Sequence, residues 1–324
     1  MNNKIIIVSG DPNSINSEII FKSWKKLNKK EKKNILVIAN YDLMVAQFKK
    51  LNFAAKLTKI KNLNEDTKSN KINIINVDIN FKNPFKVNEK IASKFVIKSL
   101  NLAHDLAVKK KIKGVINCAI KKKLISNKNI GVTEYLASKC KVKKDTAVML
   151  ISNEKFSVSP VTTHLNLKDV SKKIKKKNLI NKVKTISQFY EKNYNFKPKI
   201  GMLGLNPHNA EFRKNSEEIK DIIPAIQYLF KKGIKITGPL VSDTVFIDDY
   251  KKYDVIIGMY HDQVLSPYKS LFKFNAINIT LGLKYLRVSP DHGTAVNLIN
   301  KNRATCESLD KCINYLKKFK NEIS

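Results

Sequence analysis

Arginine is almost missing from this chain. Of its 62 basic residues only Arg213, Arg287 and Arg303 are arginines, set against 27 acidic residues. Nucleic-acid readers gather charge on one face and favour the bidentate guanidinium. A formal charge of +35 carried by lysines dispersed along the whole chain is therefore read as a solvated surface, and no specific nucleic-acid partner is expected. Cysteine is sparse as well. Cys118, Cys140, Cys306 and Cys312 form no CxxC pair, which argues against a metal grouping or a disulfide framework and for reduced, mostly buried thiols in a cytoplasmic protein. No apolar run approaches the ~18 residues of a membrane span. The opening MNNKIIIV enters a strand-like run rather than a leader peptide, so no membrane partner is expected. Glycine is scarce too: no two of the ten are separated by a single residue, and no GxxxxGK followed by Ser or Thr occurs. That excludes the glycine-rich dinucleotide loop and the P-loop.

What the chain does have is alternation. With 324 residues, 43% of them hydrophobic, it can build one large or two medium domains. A β-branched run over 5–8 predicts a strand, and Ile19, Ile20, Trp24 and Leu27 recur at helical spacing over 17–27. The pattern repeats with a strand over 34–39, a helix over 42–51, a strand over 72–77, a helix over 88–111 turning Ile91, Phe95, Leu102 and Leu106 inward, and a strand over 114–119. A helix over 133–139 precedes strands over 146–151 and 156–159, a long helix covers 168–190, and a strand over 199–203 leads to a helix capped by Ser216 with Pro224 inside it. The stretch 59–71, polar and aperiodic, is expected to be the least ordered. There is no internal repeat and no Gly/Ser linker. Repeated βα alternation means a largely parallel sheet covered by helices.

The chemistry concentrates in 259–295, MYHDQVLSPYKSLFKFNAINITLGLKYLRVSPDHGTA. An apolar run over 254–258 leads into Tyr260-His261-Asp262, so His261 is expected at the carboxyl end of a buried strand, where open α/β sheets place ligands. His164 and His208 also follow strand-like segments by a few residues, with Thr162, Thr163 and Asn206 as polar neighbours. Three imidazoles at strand ends can converge on one cation of the zinc, cobalt or nickel kind and leave positions open for a substrate. His104, mid-helix between Leu102 and Leu106, reads as packing.

VTTHL at 161–165, GLNPH at 204–208, GPLVSDTVF at 238–246, MYHDQ at 259–263, Lys269, TLGL at 280–283, Arg287 with Ser289, and DHGTA at 291–295 follow one another in the order of a known family. The chain resembles 4-hydroxythreonine-4-phosphate dehydrogenase, an enzyme of pyridoxal phosphate biosynthesis. Gly10-Asp11-Pro12 extends the likeness over most of the chain.

The resemblance implies an α/β fold of the isocitrate and isopropylmalate dehydrogenase kind, two α/β domains about a central cleft, which binds NAD or NADP without a glycine-rich loop. It implies a first domain over 1–128 plus 302–324 and a second over 129–301, the boundary falling near 127–131. It makes His164, His208 and His261 ligands of a divalent metal (zinc, magnesium or cobalt), and Thr133, Lys269, Asn278 and Arg287 contacts to a small phosphorylated substrate. Asp291, His292, Gly293 and Thr294 become the cofactor loop, while Asp243 and Asp262 are the candidates for moving a proton or orienting a histidine. The implied reaction is oxidation of 4-phosphohydroxy-L-threonine followed by decarboxylation to 3-amino-2-oxopropyl phosphate, in a homodimer that shares its active sites.

The chain also departs from the family pattern. GDPNSINSE at 10–18 stands where the family writes a glycine-rich GxPxGIGPE, and Gly131-Val132-Thr133-Glu134 stands for GHTE, so a histidine contact becomes Val132. Lys121-Lys122 replaces a His-Lys pair, Val264 replaces the glycine after HDQ, and Leu298-Ile299-Asn300 replaces an Ala-Gly pair. These changes keep two other readings open: a dehydrogenase of another phosphorylated hydroxy acid, such as phospho-threonate, and a non-catalytic basic descendant that binds polyanions.

Overall fold

The computed structural model describes residues 3–109, 111–125, 131–142, 147–153, 155–273 and 275–319. Of the expected features, the boundary at 127–131 lies outside these residues except for Gly131, as do Thr146 at the start of one strand and 320–324 at the end of the first domain. Among the described residues the strands are β1 Ile5–Val8, β2 Ile35–Ala39, β3 Leu57–Ile60, β4 Ile72–Asn76, β5 Gly114–Asn117, β6 Val148–Ser152, β7 Ser157–Thr162, β8 Ile200–Leu203, β9 Ile236–Leu240, β10 Val255–Tyr260, β11 Ile277–Leu281 and β12 Arg287–Pro290. They fall into two compact units. The first comprises the described residues within 1–140 and 283–319, and the second those within 141–282. Against the expected 1–128 and 302–324, the chain stays in the first unit longer and returns to it sooner. The early return follows from β12, which runs parallel beside β5 with Arg287 opposite Val115.

The first unit has the strand order β3-β4-β2-β1-β5-β12, and every pairing in it is parallel. Strands β1, β2 and β5 are buried at every position, as β-branched runs covered on both faces should be. The helix Glu89–Val108 buries Ala92, Phe95, Val96, Ser99, Leu100, Ala103, His104 and Ala107. The expected inward face through Ile91, Leu102 and Leu106 is thus rotated, and those three are only half-buried. The covered positions recur every three to four residues, one stripe of the helix packed on β1, β2 and β5. The stretch 59–71 is tied down by buried Ile60, Leu63 and Thr67, and its start belongs to β3.

In the second unit the order is β11-β6-β7-β10-β8-β9. Strands β7, β10, β8 and β9 are parallel, whereas β6 runs antiparallel to both β7 and β11. The expected helix over 168–190 is broken into Val170–Lys173 and Lys176–Tyr194. Five lysines between 172 and 177 repel one another along a helix, and fully buried Ile174 draws the chain inward at the break. The helix expected after Ser216 opens instead with a π turn over Glu218–Ile222, in which Ile223 N–H donates to Glu218 O, before the α-helix Ile223–Lys231. Pro224 has no N–H for an ordinary i−4 bond, and the wider turn accommodates it. Periodicity missed β9 because Gly238-Pro239 reads as a turn; Pro is tolerated there because β9 is the last strand in the order.

Candidate active site

Three parallel neighbours, β7, β10 and β8, end on one edge of the second unit and deliver the three histidines there. Tyr260 is paired with Thr162, so the residues just beyond them, His261 and His164, emerge side by side with ring centroids 5.9 Å apart and planes inclined at 35°. Thr162 Oγ1 donates to Met259 O at 2.7 Å and fixes these two strand ends to each other. His261 Nδ1 donates to Asp262 Oδ1 at 2.6 Å, which leaves Nε2 with its lone pair outward, the tautomer a metal ligand needs. His208 is placed differently. It is exposed and opens a left-handed stretch, His208 to Phe212, beyond the turn that follows β8. Among the described residues no three His, Cys, Asp or Glu side chains are grouped to hold a metal ion. One chain therefore brings together two of the three expected ligands, and their chemistry suits a borderline cation; the third imidazole stands apart.

The loop carrying His208 is held by a residue the sequence reading passed over. Glu218, fully buried, accepts hydrogen bonds from Leu205 N–H and Asn206 N–H, both at 2.8 Å, and from Asn206 Nδ2. Burial alone would raise its pKa, but the donors of Asn206 and Leu205 outweigh it and hold the carboxyl below its ordinary value. An acidic residue near a helix start reads as a dipole partner, so no local signal marks this role. Lys269 is half-buried on the helix His261–Phe272. Asn278 lies in β11 opposite Ile151, and its Oδ1 is buried without a hydrogen-bond partner. Asp243 is exposed on the short helix Ser242–Val245.

In the first unit the structure brings Thr133 and Arg287 together. Arg287, 3% exposed, donates from Nε to Asn117 Oδ1 at 2.5 Å and from Nη1 to Thr133 Oγ1 at 3.3 Å. Desolvation by burial pulls the guanidinium pKa down to about 10, still well above neutrality, so the anchor keeps its charge. Asn117, at the end of β5 and also buried, is a second residue the sequence reading missed. His104 is more than packing: its Nδ1 lies 3.1 Å from the Tyr285 hydroxyl, two residues before Arg287.

The DHGTA loop is tethered at both ends. Asp291 N–H donates to Ser308 Oγ at 2.9 Å, and Ile15 N–H of the first βα turn donates to Thr294 O at 3.3 Å. His292 Nδ1 donates to Gly293 O at 2.9 Å, so its buried Nε2, which makes no hydrogen bond, is an acceptor. Space is open within 4 Å of where a Gly293 side chain would begin. An acceptor nitrogen beside open backbone fits the exocyclic amine of an adenine.

Comparison with known proteins shows the family. The family model described as "Pyridoxal phosphate biosynthetic protein PdxA" matches residues 31–316. The 4-hydroxythreonine-4-phosphate dehydrogenase of Aquifex aeolicus (strain VF5) is 37% identical over 308 residues, 94% of each chain. The crystal structure of the enzyme of that name from Klebsiella pneumoniae superposes with a TM-score of 0.83 at 27% identity over 98% of each chain. Isocitrate dehydrogenase from Methylococcus capsulatus, 10% identical with a TM-score of 0.50 over 97% of this chain and 84% of its own, shares the fold alone. The strand-end histidines, the buried arginine and the DHGTA loop thus sit within the matched residues 31–316, and the chain belongs to the PdxA family of pyridoxal phosphate biosynthetic proteins.

Proposed function

We propose that this chain is a divalent-metal-dependent, NAD(P)-linked 4-hydroxythreonine-4-phosphate dehydrogenase. It oxidises the secondary alcohol of 4-phosphohydroxy-L-threonine, and the resulting β-keto acid loses carbon dioxide to give 3-amino-2-oxopropyl phosphate. The observation that carries this reading is the His164–His261 pair on adjacent parallel strand ends, with Asp262 setting the His261 tautomer. When bound, the cation supplies Lewis-acid polarisation of the substrate hydroxyl and NAD(P) takes the hydride. Imidazole donors favour zinc or cobalt over magnesium.

The chain's own residues bind and orient. Arg287, charged and fixed by Asn117 and Thr133, takes an anionic group of the substrate; Lys269 supplies a second cation and Asn278 an amide. His292 Nε2, buried and without a hydrogen-bond partner, is the acceptor that would receive an adenine amine of the cofactor. Asp262 is engaged with His261, which leaves exposed Asp243 as the carboxylate that receives the hydroxyl proton. Because His208 stands apart, we assign a homodimer in which His208 of one copy completes the His164–His261 pair of the other. Four free, buried thiols suit a reducing compartment, and we assign the cytoplasm. Among the described residues no helix is long and apolar enough to cross a membrane.

A second reading rests on Val132. In place of a polar family contact the chain presents an apolar side chain beside Thr133, which suits another phosphorylated hydroxy acid such as phospho-threonate. One experiment decides: NAD(P)+ reduction by the purified protein with each substrate, with and without added Zn2+ or Co2+, and in His208→Ala and His261→Ala. Metal-dependent turnover of 4-phosphohydroxy-L-threonine, lost in both variants together with the bound ion, is expected. Retention of a stoichiometric ion in both variants overturns the ligand assignment, and preferential turnover of phospho-threonate moves the second reading to first place.

A further inference from the structure

Three strands of the second unit, β8, β9 and β10, lead into the segments that carry His208, Asp243 and His261, and a single side chain bonds at or just beyond the end of each strand. Gln263, 9% exposed, accepts from Met259 N–H at 2.6 Å through Oε1 and donates from Nε2 to Gly204 O at 2.7 Å and to Ser242 Oγ at 2.8 Å. Met259 is the penultimate residue of β10, Gly204 directly follows β8, and Ser242 begins the short helix after β9. The carboxamide uses one acceptor and both donors in these bonds, and burial gives water little access to replace any of them.

The neighbouring residues are shaped around this side chain. A Cβ on Gly258 would lie 2.9 Å from Gln263 Oε1 and 2.5 Å from Val264 Cγ1, so the strand lacks a side chain where the amide folds back on it. Val264, fully buried, packs in a cluster with Leu203, Ile256, Val158 and Tyr268. Its branched Cβ holds the first turn of the helix against the sheet and with it the direction of Gln263.

We infer that Gln263 is a positioning residue: it fastens the ends of β8, β9 and β10 together and so holds in place each of the segments that carry His208, Asp243 and His261. Its carboxamide is engaged entirely with groups of its own chain. The inference rests on the proposed metal-dependent dehydrogenase, and the test separates the two. Co2+ is titrated into the metal-free full-length protein against a competing chelator, its visible absorption is recorded, and kcat and KM for 4-phosphohydroxy-L-threonine are measured on the loaded enzyme. Gln263→Met keeps the volume and removes all three bonds. It is expected to weaken Co2+ binding about 10- to 100-fold, to change the Co2+ spectrum, and to lower kcat more than it raises KM. Ser242→Ala removes one bond and leaves the core intact, so it is expected to weaken binding a few-fold, with Ser242→Thr, which keeps the hydroxyl, restoring it. Should Gln263→Met fail to fold, the Ser242 pair decides in its place. An unmodified protein that neither binds Co2+ nor reduces NAD(P)+ overturns the dehydrogenase reading and this inference with it. An unmodified protein that does both, with a Co2+ affinity and spectrum that Gln263→Met (or Ser242→Ala, if the former is unfolded) leaves unchanged, overturns the positioning role alone.

Discussion

Val132 stands where the resemblance implies a histidine contact, the departure that bears most directly on substrate choice. It starts the helix Val132–Lys139, next to Thr133, whose hydroxyl accepts from Arg287. A polar substrate group that meets an apolar side chain there loses a hydrogen bond, at roughly 1–3 kcal/mol. Val132→His is therefore expected to raise kcat/KM on 4-phosphohydroxy-L-threonine by about one order of magnitude, read by NAD(P)H absorbance; flat or reduced activity means that the site is tuned to a different acid. Asn117 makes a complementary case. Removing its carbonyl leaves Arg287 Nε buried without that acceptor, a loss of about 1.5–3 kcal/mol for a hydrogen bond to a charged group. Asn117→Ala is expected to lower the denaturation free energy by that amount and to raise KM for the phosphorylated substrate. Unchanged KM would detach Arg287 from substrate binding. Neither pairing is visible from composition: Arg287 stands out because arginine is rare here, but nothing local marks Asn117, 170 residues away, as its partner.

Among the elements, the turn after β8 depends on the helix that follows it. Glu218 sits in the π turn that precedes Pro224, and from there its carboxylate reaches back to the N–H groups of Leu205 and Asn206. Its folded pKa lies below the ordinary glutamate value of 4.5. The sign follows: the carboxylate stabilises the fold at pH values above 4.5, and this contribution disappears as pH falls through the depressed folded value. Glu218→Gln is expected to lower stability at neutral pH and to close the gap to the unmodified protein on acidification below that value, as followed by urea denaturation at a series of pH values. A gap that stays constant with pH would remove the charge from the account. Periodicity located most strands and helices of both units because alternation of buried runs and amphipathic faces is a local property. It failed where a local rule was overridden: at the lysine-rich break around Ile174, at Pro-containing β9, and on the Glu89–Val108 helix, whose covered face is set by its packing on β1, β2 and β5.

For the whole molecule, the separation of His208 from the His164–His261 pair leads to a quantitative test. If each site takes His208 from one copy and the pair from the other, a hybrid of His208→Ala and His261→Ala chains contains one intact and one doubly damaged site. Random reassociation of equal amounts makes half the dimers hybrid, so mixing two inactive variants is expected to restore about a quarter of the native activity. No recovery, in a protein that light scattering shows to exchange subunits, sinks the shared site. The sequence by itself determined the βα alternation, the absence of a glycine-rich nucleotide loop, and the order of the VTTHL, GLNPH, MYHDQ and DHGTA segments at strand ends. These follow from residue chemistry and spacing over a few turns of chain. Only the tertiary structure decided which strand lies beside which. β10 enters between β7 and β8 although it follows both in the chain, and that insertion sets His261 against His164. β12 returns to lie along β5, and that return lays Arg287 on Asn117. The physical reason is range: these neighbours are brought together by sheet hydrogen bonds and core burial between segments roughly a hundred or more residues apart, a choice that no local periodicity encodes.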